Sequence, residues 1–360
     1  MRNPARLLAG GLTAAVLSAG VLSAPAHAAP EDRGARWLTQ QLTDGLVHND
    51  QYDFDDYGLT ADVALALDAV GGEARTVRTI RKALAPRVDS WTTGADFGSS
   101  DVYAGSVAKA AVLAQRAGAD ARDFGGTDLV KRLNGRVVKK GAAAGRIQDR
   151  GATDYANTLG QAYAAEALSV ARSRHAAAAV RFLLRQQCDA GYFRVTLDAV
   201  DAASHGCDAA PRSNAKPNVD ATAVAVISLR ALPQKSTKVR RAISSALGWL
   251  AKRPQRDGLY ASDGRRTGSD PNANSTGLAA WALGDAGRCS AAQKAARAVA
   301  GLQLTGSYAG TPLAGEKGAI AFDRAAEKAA RDGISVEERD QWRRATAQGV
   351  PGLAYTSGCR

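Results

Sequence analysis

Five segments of the chain share one layout, an apolar run anchored on a Ser or Thr: LTADVALAL at Thr60, GSVAKAAVLA at Ser106, NTLGQAYAAEAL at Thr158, ATAVAVISL at Thr222 and STGLAAWAL at Thr276. The anchors are 46, 52, 64 and 54 residues apart, and a weaker sixth segment, AGEKGAIAFDRAAEKAA, starts near Lys317. Such drift marks one supersecondary unit repeated with loops of variable length. Each run follows Asp, Asn, Ser or Thr, side chains that accept hydrogen bonds from the free N–H groups at a helix start. Gly71-Gly72 and Gly287 read as helix stops. A helix that is apolar all round must be covered all round, so these runs form an inner layer. Between them lie basic amphipathic segments with apolar residues at spacings of three and four, such as Val77, Ile80 and Leu84, or Val239, Ile243, Leu247 and Leu250. Their apolar sides pack on the inner runs and their polar sides face water. The expectation is an all-α protein of about six inner and outer helix pairs in a closed ring of two layers. An open superhelix also stacks helix pairs. Closure is favoured because the ends carry no polar capping repeat.

The chain opens with Arg2 and Arg6, an apolar run from Leu7 to about Leu22, and Ala26-His27-Ala28. This reads as a secretory signal over residues 1–28, leaving 29–360 as one domain with an inserted loop at 188–217. No second apolar run or sorting tail follows, so an extracellular protein without a membrane anchor is expected. An even count of cysteines in an exported chain favours disulfides. The expected pairs are Cys188–Cys207, closing a local loop, and Cys289–Cys359, tying the C-terminus to an earlier repeat. Zinc is disfavoured by the absence of a C-x-x-C pair, although His205 stands near Cys207. No metal or other cofactor is expected, and nothing calls for a partner subunit, so a monomer is expected.

The formal charge of +12 falls to +10 without Arg2 and Arg6. A basic balance is compatible with an anionic cell-wall polymer as partner. No recognition motif accompanies the Lys and Arg residues, which are scattered along helix faces, so sequence-specific nucleic-acid binding is not expected.

The repeats resemble the prenyltransferase and squalene-cyclase repeat family. The family's aromatic-Leu and Gln-x-x-x-Gly-x-Trp pattern is echoed by Phe182, Gln187, Gly191 and Phe193, and by Trp249, Gly258 and Tyr260 with Pro254 in the Gln position. Shorter echoes surround Gln41 and Gln303. The resemblance implies an α/α toroid with a central cavity, lined at one end by inner-helix N-termini whose dipoles favour acids and anions. It is similar in particular to secreted bacterial members without an assigned activity. Protein prenyl transfer is disfavoured by the lack of an Asp–Cys–His zinc set, and the thioester signature Cys-Gly-x-x-Gln is absent. The chain also lacks the β-rich domain of cobalamin carriers.

The cavity rim supplies the candidate residues. Tyr57, Tyr103 and Tyr155 stand three places before anchors. Asp56, Asp154, Asn218 and Asn272 stand four places before, Asp220 and Asn274 two, and Asp55 and Asp101 five; Asn157 directly precedes Thr158. Tyrosines and polar groups arranged this way bind a small polar molecule or a glycan segment. The same residues also serve as helix caps. Asp55, Asp56 and Asp220 are the candidate catalytic acids. The family's cyclases run D-x-D-D-T-A into the inner helix, with the central acid as proton donor. Asp53-Phe54-Asp55-Asp56 lies three residues too early for that register. Asn218-Val219-Asp220-Ala221-Thr222-Ala223 fits it with the central acid alone, which puts cyclase activity in doubt. With aromatics at 6% of the chain, a carbocation has few stabilising rings. Binding in the central cavity is the leading expectation, with a polysaccharide hydrolase or lyase, or a cyclase-like enzyme using the rim aspartates, as the alternative.

Overall fold

The apolar runs become buried helices because only the helix satisfies all their backbone polar groups internally while presenting apolar atoms on every side. In the computed structural model, which describes residues 28–306 and 308–359, the chain order is α1 (Pro30–Gln40), α2 (Tyr57–Val70), α3 (Ala74–Leu84), α4 (Val88–Thr92), α5 (Ala104–Arg116), α6 (Leu129–Asn134), α7 (Thr158–Val170), α8 (Ala176–Arg185), α9 (Val219–Ala231), α10 (Thr237–Leu250), α11 (Ala273–Asp285), α12 (Cys289–Ala300), α13 (Arg324–Ala329) and α14 (Val336–Leu353). The signal expected over 1–28 lies outside the described residues except for Ala28. Inner helices α2, α5, α7, α9, α11 and α14 pack in that order, and α14 packs on α2, so the ring is closed. Outer helices α1, α3, α6, α8, α10 and α12 alternate with them along the chain.

Each inner helix starts on the same face of the ring. Asp56, Asn157, Asn218 and Asn272 cap α2, α7, α9 and α11 by accepting hydrogen bonds from Leu59, Gly160, Ala221 and Ser275 N–H groups. Four residues past the cap comes a staple. Thr60, Thr222 and Thr276 each donate to the carbonyl of the cap residue and accept an N–H from the segment just before, that of Val47, Phe193 and Tyr260, each at 2.9 Å. In the third repeat Gln161 does this job, accepting Ile147 N–H at 2.8 Å, so Thr158 sits three residues before the true staple. The expectation that Asp154 matches Asp56 shifts accordingly to Asn157. The second repeat has Val107 at the staple position.

The sixth repeat differs most from expectation. Its inner helix is α14, not the segment from Lys317. Its staple is Thr346, which donates to Trp342 and accepts Ile320 N–H at 2.9 Å. Helix α14 runs nearly two turns ahead of Trp342, and that charged front, VEERDQ, hid the apolar run behind it. The extra turns rivet the last repeat to the first. Asn49 donates to Asp340 at 2.6 Å, Arg343 donates to His48 O at 2.6 Å, and Arg344 pairs with Asp56. In the outer layer Gln303 Nε2 donates to Pro30 O at 2.9 Å, and Gln187 Nε2 links to Ala242 O at 2.9 Å, so the glutamines of the repeat pattern join neighbouring units.

Small strands edge this face: β1 (Leu42–Thr43), β2 (Leu46–Asn49) and β3 (Phe54–Asp55) form an antiparallel sheet, and β4 (Tyr260–Ala261) pairs with β5 (Pro271–Asn272). Helices α5 and α7 touch at glycines, since a Cβ on Gly160 would lie 2.9 Å from Gly105 Cα. The disulfides are Cys188–Cys207 and Cys289–Cys359, with Cα separations of 4.9 and 5.1 Å. Among the described residues no helix is long and apolar enough to cross a membrane.

The staple predicts a cost. Thr222→Val keeps the shape but leaves the buried Phe193 N–H unpaired, and should destabilise folding by about 1–3 kcal/mol. Urea unfolding of the variant against wild type measures it; an unchanged midpoint would remove the staple from the account.

Candidate functional site

With every cap in register, helical periodicity builds the cavity in layers. Six residues past each cap position stand Asp62, Lys109, Tyr163, Val224, Leu278 and Gln348, one from each inner helix, and all six line one cavity of about 520 Å³. One turn nearer the mouth, Gly58, Gly105, Leu159 and Asp220 line it; deeper in are Leu65, Ile227 and Trp281, with Arg116 beyond. Residues at i, i+4 and i+7 share a helix face, so this stacking follows from the 3.6-residue turn. From Gly105 to Arg116 the rise of about 1.5 Å per residue spans roughly 16 Å.

The cavity is two-sided. Gln348, Asp62, Lys109 and Tyr163 form a polar half; Val224, Ile227, Leu278 and Trp281 form the apolar one. The charges in the polar half are mostly paired. Lys109 Nζ lies 2.5 Å from Asp62 Oδ1 and donates to Gly58 O at 3.1 Å. Arg116 holds the buried Glu166 at 2.7 Å. Burial pushes the Glu166 carboxyl up, and Arg116 pulls it back. Tyr163 is pushed well above the ordinary phenol range by burial. At the mouth Asp149 accepts from the Ala104 and Tyr155 N–H groups, at 2.6 and 2.9 Å, and burial again raises its carboxyl.

Asp220 is different. It opens on the cavity from the first turn of α9, yet its Oδ1 is sealed from solvent with no hydrogen-bond partner among the described residues. Burial pushes its carboxyl above the usual carboxylate range, and the neighbouring Ser275 hydroxyl pulls the other way. A raised carboxyl costs stability once the unfolded chain ionises first. That cost is absent below the unfolded value near pH 4 and reaches its full size above the folded one. Asp220→Asn should therefore melt above wild type at pH 8 and level with it near pH 3.5, each kcal/mol being worth roughly 2–4 °C. Circular-dichroism melts at both pH values check the sign; a pH-independent difference contradicts it.

Of the residues expected from the sequence, Asp220, Tyr103, Tyr155 and Asn157 line the cavity. The others stand outside that lining. Asp55 lies on β3 against His48 at 3.1 Å, and Asp56 is spent on the α2 cap and Arg344. Asp154 is held by Arg146 at 2.6 Å, and Asn218 caps α9. Tyr57 opens α2, and Asn274 sits in the first turn of α11 with an unpartnered Oδ1. Asp101 lies against Gly151 in the loops before α5. Asp62, Lys109, Tyr163, Gln348, Arg116 and Trp281 were not singled out from the sequence. Their signal was a polar or bulky residue interrupting an Ala-rich inner run.

No protein-family model matches the sequence, and no curated protein matches it. Solved structures do. The apo type II terpene cyclase MstE from Scytonema superimposes with a TM-score of 0.59 at 17% identity, covering 90% of this chain and 96% of that one. A protein from Actinoplanes gives 0.58 at 18% identity, covering 91% and 98%. An unsaturated glucuronyl hydrolase specific for heparin gives 0.61 at 12% identity, covering 91% and 96%. Other MstE structures hold a geranylgeranyl dihydroxybenzoate substrate or a merosterolic acid product. The chain is thus an α/α toroid, the fold it shares with these enzymes, and all six inner helices line its central cavity.

Proposed function

We propose that the protein binds one small amphipathic molecule, terpenoid or glycan in character, in the central cavity. The observation that carries this reading is the two-sided cavity of about 520 Å³, open at its mouth and within the size range of small-molecule sites, to which every inner helix contributes a residue at the same depth. The internal pairing of Lys109 with Asp62 and of Arg116 with Glu166 leaves the polar half without a spare cation. A neutral hydroxylated group facing that half and a hydrocarbon or sugar-ring face against Trp281 and Leu278 suit it better than a strong anion. Native mass spectrometry of the protein from its own host, against the cavity-filling Leu278→Trp variant, tests this reading.

A second reading, catalysis, is favoured by Asp220. A carboxyl whose hold on its proton burial strengthens, on a residue that lines the cavity from the first turn of α9, is suited to general acid work. Its O–H would pass a proton to a double bond of the bound molecule, the cation so formed then losing a proton from a neighbouring carbon, or to a glycosidic oxygen, whose C–O bond breaks as water adds to the sugar carbon and releases a proton; in either case one proton returns to the carboxylate. Asp220→Asn separates the readings, because a binding protein retains its ligand unchanged in that variant and an enzyme accumulates unconverted substrate.

A further inference from the structure

Charge is unevenly spread over the two faces of the ring: on the mouth side the loops before α2 and α5 are acidic while the loops before α7, α9, α11 and α14 carry both signs, and the opposite side gathers cations over three of its turns. The loops before α2 and α5, residues 41–57 and 93–103, hold Asp44, Asp50, Asp53, Asp55, Asp56, Asp96 and Asp101 and no Lys or Arg. The opposite face is made where inner helices end and outer helices begin. Over its three adjacent turns, 171–176, 230–241 and 285–289, it carries eight Lys and Arg residues and one carboxylate, Asp285. Asp285 already accepts hydrogen bonds from Trp281 and Tyr355. None of the eight cations forms a salt bridge among the described residues, and Arg172, Arg174, Lys238, Arg240, Arg241 and Arg288 are exposed.

Fold stability explains part of this. Cations favour inner-helix C-termini, and Arg230 donates to Asp285 O at the end of α11, as Arg122 does to Ala171 O beyond α7. It does not explain Lys238, Arg240 and Arg241, which occupy the first turns of α10, where a helix dipole favours acids. None of α8, α10 and α12 has an acid in its first turn. Three neighbouring helix starts thus join a basic arc in place of the acids that would stabilise them.

We propose that this arc docks the protein on a phosphodiester-linked cell-wall polymer and turns the cavity mouth away from it. Arginine forks and exposed helix starts suit phosphate oxygens. Among the described residues the exposed aromatic side chains, Tyr52, Phe54, Phe97 and Tyr155, lie on the mouth side, and the rings beside the arc, Trp281 and Tyr355, are half-buried and held on Asp285, so the arc is poorly suited to base stacking or to anchoring in a membrane. Two disulfides accord with an extracellular setting.

The test is co-sedimentation or biolayer interferometry of the full chain with purified poly(glycerol phosphate), duplex DNA of matched charge and uncharged dextran. Reversal of five arc cations (R172E, R174E, K238E, R240E, R241E) should weaken poly(glycerol phosphate) binding by about tenfold or more, by the loss of a local field. The same number of reversals elsewhere (K139E, K140E, R256E, K328E, R331E) should cost less than about threefold, which separates the arc from bulk charge. All ten side chains are exposed, and a melting curve checks that each variant folds. Equal losses from both sets, no loss from either, or DNA bound as tightly as the polymer would overturn the proposal.

Discussion

Gly277→Val should be among the most damaging single substitutions in the chain. Helices α11 and α14 touch at backbone level, and a Cβ on Gly277 would lie 2.4 Å from Gln348 O and 2.5 Å from Gly349 Cα. Backbone atoms cannot rotate aside as a side-chain tip can. A branched side chain must therefore push α14 outward, carrying Gln348 out of the cavity wall and straining the Asp340 and Arg344 contacts with the first repeat. Overpacking of this kind costs about 3 kcal/mol, and roughly 6–12 °C of Tm at 2–4 °C per kcal/mol. Gly248 is the control. It lies inside α10 with open space where a Cβ would go, so Gly248→Ala should gain about 0.5–1 kcal/mol through helix propensity. Differential scanning calorimetry of both variants measures the contrast; a Gly277→Val protein melting with wild type would refute the backbone contact described for α11 and α14.

The second large effect belongs to the C-terminus. The Cys289–Cys359 bridge spans a sequence separation of 70 and holds the segment after α14 against the start of α12. In the chain-entropy account, a loop of that size removes about 4 kcal/mol from the unfolded state, and the 19-residue separation of Cys188–Cys207 about 3 kcal/mol. The double variant C289S/C359S should therefore lose more stability than C188S/C207S. Guanidinium unfolding of each, fitted with a common m-value, gives the two losses. The reverse order would mean that the local loop at 188–207, with its buried Arg194–Asp198 pair, organises more of the fold than its length implies.

The fold was legible because its repeats are physical. Thr60, Thr222 and Thr276 could be aligned because one hydroxyl pairs both a helix start and the segment before it, a demand that recurs in each unit. Thr158 misled because Gln161 meets the same demand with a longer side chain, and a register based on residue type slipped by three. Near Lys317 an Ala-rich stretch mimicked a helix start, while the true sixth run lay behind a charged extension. The site was legible only in part. Reading backward from the anchors reached the caps, which are spent on backbone N–H groups, whereas the cavity wall lies inward, two residues past each staple. Asp220 was found because one terpene-cyclase-like register singled it out. The Asp62–Lys109 pair was missed because it joins two adjacent inner helices, α2 and α5, and no local spacing in the sequence encodes which of their positions face each other.

The most direct test of the central claim, that the cavity is the ligand site, is native mass spectrometry of the protein isolated from its own host, with wild type and Leu278→Trp run side by side. Leu278 stands on the apolar half at the middle layer, so the larger ring fills the cavity from the wall. The account predicts one small molecule bound to wild type, released on denaturation, and absent from the folded variant. A wild type carrying no bound molecule, or a variant carrying the same one in equal amount, would contradict it.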